Sequence, residues 1–147
     1  MRYRIQQVKP ETLKTYQQQF CASRAEADTQ AADTGIAAAE YGFEAVSDGK
    51  LLGAAWAWNL ENEGETPEIY VYMQPESRSC GIGTDLVRTL TDYLALCGYP
   101  EIFATVRRDN YAVLLFGAVG FRPVKEVDEV YTLRFDLKSA GQIQLGY

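Results

Sequence analysis

The sequence predicts one mixed α/β domain over residues 1–147. Three observations carry that reading. Short apolar runs alternate with polar residues, the mark of half-buried strands. Ser47-Asp48-Gly49-Lys50 stands between two such runs, and Asp-Gly in that setting signals a tight hairpin. Ile82 to Cys97 repeats apolar residues at helical spacing, with Ile82, Leu86, Leu90 and Leu94 on one stripe.

The elements follow in order. Tyr3 to Val8 alternates and opens the chain as a strand. Pro10-Glu11-Thr12 starts a helix, since proline suits a first turn, and Leu13, Tyr16 and Phe20 continue it. The Ala-rich stretch Ala22 to Ala39 reads as a second helix plus a loop. Tyr41 to Val46 and Leu51 to Leu60 are the hairpin strands, and Glu68 to Met73 adds a third to the meander. Gly98 ends the long helix. Glu101 to Val106 is a strand and Asn110 to Val119 a helix closed by Gly120. Phe121 to Val124 and Val130 to Leu137 form a last pair of strands. Helices interrupt the strands irregularly, so the sheet is mixed rather than uniformly parallel.

Composition removes several function classes. Twenty acidic residues against fourteen basic give a net charge of −6, which disfavours nucleic acid as a partner. The same balance suits a cationic acceptor. There is no histidine, so the commonest general base and metal ligand are both missing and no metal site is expected. Cys21, Cys80 and Cys97 match no metal-pair spacing and read as free thiols in a reducing compartment. The first residues lack an apolar signal core, and Leu51 to Trp58 is too short to cross a bilayer. No membrane association and a cytoplasmic location are the expectations.

The segment Arg78-Ser79-Cys80-Gly81-Ile82-Gly83-Thr84 carries the chemical signal. A strand ends before it and a helix opens on it. A first helical turn presents unpaired N–H groups and the positive end of the dipole, which suits a phosphate or diphosphate. Glycine lets an anion approach that backbone closely, and Arg78 adds a fixed positive charge. A Walker loop is excluded because Thr84-Asp85 follows Gly83, and a dinucleotide fingerprint because Leu86 stands where its third glycine belongs. A plain strand-to-helix turn, glycine-rich for tight packing, would carry the same residues.

The segment resembles the Gln/Arg-x-x-Gly-x-Gly/Ala signature of the GNAT superfamily of acyl-CoA-dependent N-acyltransferases. Asn110 and the run Leu115-Phe116-Gly117-Ala118-Val119-Gly120-Phe121 resemble that family's Asn-x-x-Ala-x-x-Leu-Tyr-x-x-x-Gly-Phe pattern, and the likeness spans about Tyr41 to Leu137. It implies a mostly antiparallel sheet of six to seven strands flanked by about four helices. It implies acetyl-CoA as cosubstrate and a primary amine as acceptor, attacking the thioester directly. Dimers are common in the family, so a homodimer is also implied. Two departures stand out. Phe116 replaces the tyrosine credited with protonating the thiolate, and the asparagine is displaced by one residue, so that Asp109 or Asn110 takes its place.

The resemblance also places roles. Ser79, Cys80, Gly81, Ile82, Gly83 and Thr84 with Arg78 would hold the diphosphate, and Asn110 and Phe116 would border the cofactor. The oxyanion donor would be a backbone N–H near Met73, where the third meander strand splays and pantetheine would extend the sheet. Glu68 would accept the amine's proton through water, or is a solvated strand end. Tyr70 and Tyr72 share a sheet face and line the pocket or simply pack. Tyr111, another tyrosine or water would replace the missing acid. Trp56 and Trp58 form core or an aromatic wall for a cation. Glu61, Glu63 and Glu65 form a charged turn or an attractive rim. A non-catalytic acyl-CoA-binding module is the alternative function.

Overall fold

The computed structural model describes residues 2–16, 41–58, 66–78 and 80–137. The Asp-Gly hairpin forms as its chemistry requires. Asp48 (φ 51°) and Gly49 (φ 76°) are both left-handed, the twist that matches two antiparallel strands. They join β2 (Tyr41–Ser47) to β3 (Lys50–Trp58), with Ser47 opposite Lys50. Strand β1 (Arg4–Val8) pairs antiparallel with β2, and β4 (Glu68–Met73) antiparallel with β3. Beyond β4 come β5 (Glu101–Arg107), β6 (Arg122–Val127) and β7 (Val130–Asp136). The strand order is β1-β2-β3-β4-β5-β7-β6, and among the described residues the β4–β5 pairing alone is parallel.

Three α-helices lie among the described residues: α1 (Pro10–Thr15), α2 (Ile82–Leu96) and α3 (Ala112–Val119). The expected second helix, the turn Glu61 to Glu65, and Cys21 lie outside the described residues. Helices α2 and α3 cover one sheet face. Ile82, Leu86, Leu90 and Leu94 of α2 meet Ala55, Ile69, Met73, Ile102 and Leu133 there, all buried. Helix α1 lies on the opposite face, where Leu13 packs with Val8, Ala54, Trp56, Trp58 and Tyr72.

Of the boundaries that differ from the sequence pattern, two have a clear cause in the structure. Helix α3 starts at Ala112 rather than Asn110, with Tyr111 flanking it and the Asn110 side chain accepting from the Ala112 N–H at its first turn. Strand β6 extends to Val127, because a two-residue turn at Asp128 (φ 51°) and Glu129 (φ 66°) closes the β6–β7 hairpin. That turn uses no glycine, so no local signal announced it. Long-range contacts hold it instead: the Arg108 N–H donates to the Glu129 carbonyl (2.8 Å), and both Arg107 and Arg108 pair with the Glu129 carboxylate.

Glu44 is the one buried charged residue among the described residues, 7% exposed. It sits on the α1 face and accepts hydrogen bonds from Gln6 Nε2 and Tyr16 Oη, both 2.5 Å. Burial and this carboxylate push the Tyr16 phenol up to about 12. Tyr16 follows directly on α1, so this bond ties the helix to β2. Tyr16→Phe is therefore expected to lower stability by about 1–3 kcal/mol, because it strips a donor from a buried carboxylate. Urea denaturation at neutral pH measures this, and an unchanged midpoint would refute the anchoring role.

Candidate active site

Strands β4 and β5 touch and then part. Their pairing is confined to Glu68 opposite Phe103, whose N–H donates to the Pro67 carbonyl at 3.1 Å. On its other edge β5 pairs along its whole length with β7, but past Phe103 it has no further partner on β4. The far half of β4 thus faces a gap. Backbone groups of a strand alternate sides. The Gln74 N–H donates back to Leu52 of β3 at 2.9 Å, so the N–H groups of Met73 and, by alternation, Val71 turn toward the gap. Sequence reading placed a donor near Met73; Val71 it did not single out. The alternation of β4 held that signal once Gln74 was known to bond β3.

The gap edge at Met73 is occupied from within. The Met73 N–H donates to Tyr111 Oη at 2.9 Å. Arg78 Nε donates to the Met73 carbonyl at 3.1 Å, and its guanidinium lies 4.0 Å from the Tyr111 ring centroid. The Tyr72 ring is 5.7 Å from the same guanidinium. Arg78 therefore lies against the end of β4 as well as beside the glycine loop.

After β4, a short 3-10 turn (Pro75–Ser77) leads to Gly81, which opens α2. Gly81 is left-handed (φ +83°) and exposed, and an added Cβ would meet nothing within 4 Å. Its conformation, not crowding, requires glycine there. Gly83 differs. It is buried, and a Cβ there would stand 2.6 Å from Leu115 Cδ1 and 3.2 Å from Met73 Cγ. Its missing side chain lets α2 approach α3 and β4. Cys80 is exposed, with Sγ 3.6 Å from the Arg78 carbonyl. Ile82 is buried core, and Thr84 is half-buried in the first turn. Ser79 lies outside the described residues. The first-turn carboxylate of Asp85 accepts from the Tyr3 hydroxyl and lies 4.0 Å from Arg88 Nη1. An open, left-handed glycine at a helix N-terminus beside an arginine fits a diphosphate.

The second cluster lies on the α1 face of the sheet. Trp58 stands opposite Glu68 and Trp56 opposite Tyr70. Burial pushes the Glu68 carboxyl above its usual range, while hydrogen bonds with Tyr70 and Thr105 pull it part of the way back. Glu68 and Tyr70 are thus in contact. Trp58 stacks on Tyr70 at 4.3 Å, and both tryptophans are buried in the cluster with Tyr72. That placement makes them core.

The remaining candidates belong to α3. Asn110 Oδ1 accepts from the Ala112 N–H at 2.7 Å. Phe116 is 1% exposed and packs on Phe121 at 5.0 Å. Asn110 and Phe116 therefore cap and fill, whereas Tyr111 reaches the gap. Among the described residues, no group of three or more His, Cys, Asp or Glu could hold a metal ion, and no helix is long and apolar enough to cross a membrane.

Residues 5–121 match the model of the acetyltransferase (GNAT) family. An N-acetyltransferase of Bacillus subtilis (strain 168), YobR, itself uncharacterized, is 35% identical over 57 residues. That match covers 38% of this chain and 23% of the relative, so the chain spans under a quarter of YobR's length. Among solved structures, yncA of Salmonella typhimurium with its cofactor acetyl-CoA superposes with a TM-score of 0.69 at 17% identity, over 93% of this chain and 95% of that one. The PaiA N-acetyltransferase of Thermoplasma acidophilum with coenzyme A gives 0.69 at 16% identity, over 92% and 99%. The spermidine/spermine N-acetyltransferase SpeG of Vibrio cholerae gives 0.68 at 14% identity, over 97% and 99%. These likenesses establish a common fold.

The cap at Asn110 is directly testable. Asn110→Ala is expected to lower stability by about 1 kcal/mol, and Asn110→Asp, which keeps an acceptor, by less than about half of that. Equal losses for the two variants in chemical denaturation would show that Asn110 acts otherwise.

Proposed function

The chain belongs to the GNAT acetyltransferase family, and from that premise we propose that it transfers the acetyl group of acetyl-CoA to a primary amine by direct attack on the thioester. One observation carries the reading: a β4 edge at Val71 and Met73 that no strand pairs runs toward the exposed N-terminus of α2. The edge suits a pantetheine chain, which carries amides, and the helix end suits a diphosphate. Bound there, acetyl-CoA would supply an acyl group on a thiol that leaves readily, since thiols ionise near pH ~8.5.

The chain's own residues divide the rest of the work. Gly81, the first turn of α2 and Arg78 receive the diphosphate, with Cys80, Ile82, Gly83 and Thr84 forming the turn around it. The N–H groups of Val71 and Met73 face the gap, where one can donate to the developing oxyanion. An alkyl ammonium ionises near pH ~10.4, so the acceptor must lose a proton before it attacks. Glu68 accepts it, and the desolvation that raises its pKa makes it a better base near neutrality. Three residues of strand separate Glu68 from Val71, about 10 Å. That span exceeds direct reach, and the Tyr70 hydroxyl beside Glu68 relays the proton with water. Tyr111, beside Met73, replaces the acid absent at Phe116 and protonates the leaving thiolate.

The acceptor class we favour is a cationic amine. The net charge of −6 supports it, as does the presence of a spermidine/spermine N-acetyltransferase among the structural relatives. The buried Phe116 at the usual acid position favours a second reading, an acyl-CoA binder without turnover. Release of free thiol from acetyl-CoA against a panel of amines separates the two. Turnover above the uncatalysed rate with at least one amine is expected. Tight binding of acetyl-CoA without thiol release across the panel would favour the binder.

The base assignment predicts a pH signature. A carboxyl whose pKa is raised holds its proton to higher pH, so kcat should rise with pH on a limb above the ordinary carboxylate range. Glu68→Gln should abolish that limb and lower kcat about 100-fold on the plateau. The two proteins should converge at low pH, where Glu68 is already protonated. A variant that keeps the limb would remove Glu68 from the reaction.

A further inference from the structure

The cofactor's place on β4 is already taken. Both backbone groups of Met73 that face the gap are satisfied by side chains: Tyr111 Oη accepts from its N–H at 2.9 Å, and Arg78 Nε donates to its carbonyl at 3.1 Å. The two side chains also hold each other, with the guanidinium 4.0 Å from the Tyr111 ring centroid. Met73 belongs to β4 and Tyr111 follows β5, yet they meet where those strands have separated. A phenol and a guanidinium thus complete a strand edge that lacks a strand.

We infer that Tyr111 and Arg78 form a place-holder that satisfies the β4 edge in the free protein and must leave it when acyl-CoA binds, so that Tyr111 sets cofactor affinity as well as chemistry. The inference rests on the acetyl-CoA reading given above. Edge pairing by a pantetheine amide needs the same Met73 N–H and carbonyl, and neither can serve both partners with good geometry. The diphosphate supplies the release. Arg78 flanks the glycine turn, and an anion there competes for the guanidinium. Its withdrawal breaks the bond to the Met73 carbonyl and uncovers the Tyr111 ring. The phenol can then turn from Met73 into the gap, beside the thioester sulfur it would protonate. The anion end of the ligand therefore engages first and opens the edge for the acyl end.

The role predicts an affinity change of unusual sign. Tyr111→Phe keeps the ring under Arg78 but removes the oxygen from Met73. Coenzyme A, titrated calorimetrically, should bind Y111F about fivefold more tightly than wild type, the worth of one neutral hydrogen bond no longer displaced. The ligand-free variant should also melt slightly lower. Equal or weaker binding by Y111F, with wild type binding normally, overturns the place-holder and leaves the acetyl-CoA reading intact. No binding by wild type overturns that reading and the place-holder with it. A measurement on wild type alone gives an independent check: the Met73 amide should be protected from hydrogen exchange without ligand. Exchange at the rate of an open amide would overturn the inference even if Y111F did not fold.

Discussion

The parting of β4 from β5 is the constraint on which the rest of the structure depends. A parallel pair normally continues its ladder, because buried N–H and C=O groups left without partners cost free energy comparable to lost hydrogen bonds. Here the ladder is limited to Glu68 and Phe103, while the opposite edge of β5 is paired along its length with β7. The strand edge left behind, at Val71 and Met73, is polar backbone at the centre of a sheet. Tyr111 and Arg78 close part of it.

Packing around the gap follows from that divergence. Helix α2 can start beside the end of β4 only because Gly83 leaves room for Leu115 of α3 and for Met73. Its stripe of Ile82, Leu86, Leu90 and Leu94 buries the helix on the meander and fixes where its N-terminus points. The open turn at Gly81 is therefore held by a rigid neighbour. On the other face, Tyr16 and Gln6 clasp Glu44 and bind α1 to β2. The face that carries Glu68 and Tyr70 is stiffened by the Trp58–Tyr70 stack.

Much of this was legible without coordinates. Strand β4 runs from Glu68 to Met73, the limits its alternation predicts, and α2 ends one residue before the predicted Cys97. The hairpin at Asp48-Gly49 needed only its own backbone preference. The family signature fell on residues 78–84, and the match over residues 5–121 agrees with it. Less visible was the distinction between the two glycines of that signature. Both look alike in a motif, yet Gly81 answers a dihedral requirement and Gly83 a steric one. Also not visible in the motif was that the Asn110 side chain accepts from the Ala112 N–H at the start of α3.

The amino-acid sequence by itself determined the strands, the helices, the tight hairpin and the glycine turn, because each depends on the preferences of a few adjacent residues. The tertiary structure alone decided that β4 and β5 separate, that Tyr111 meets Met73 across 38 residues of chain, and that Arg78 lies on both. Those contacts join segments whose local patterns are indifferent to one another. They exist because an interrupted ladder leaves polar backbone exposed, and the nearest side chains able to satisfy it are brought there by the packing of the whole sheet.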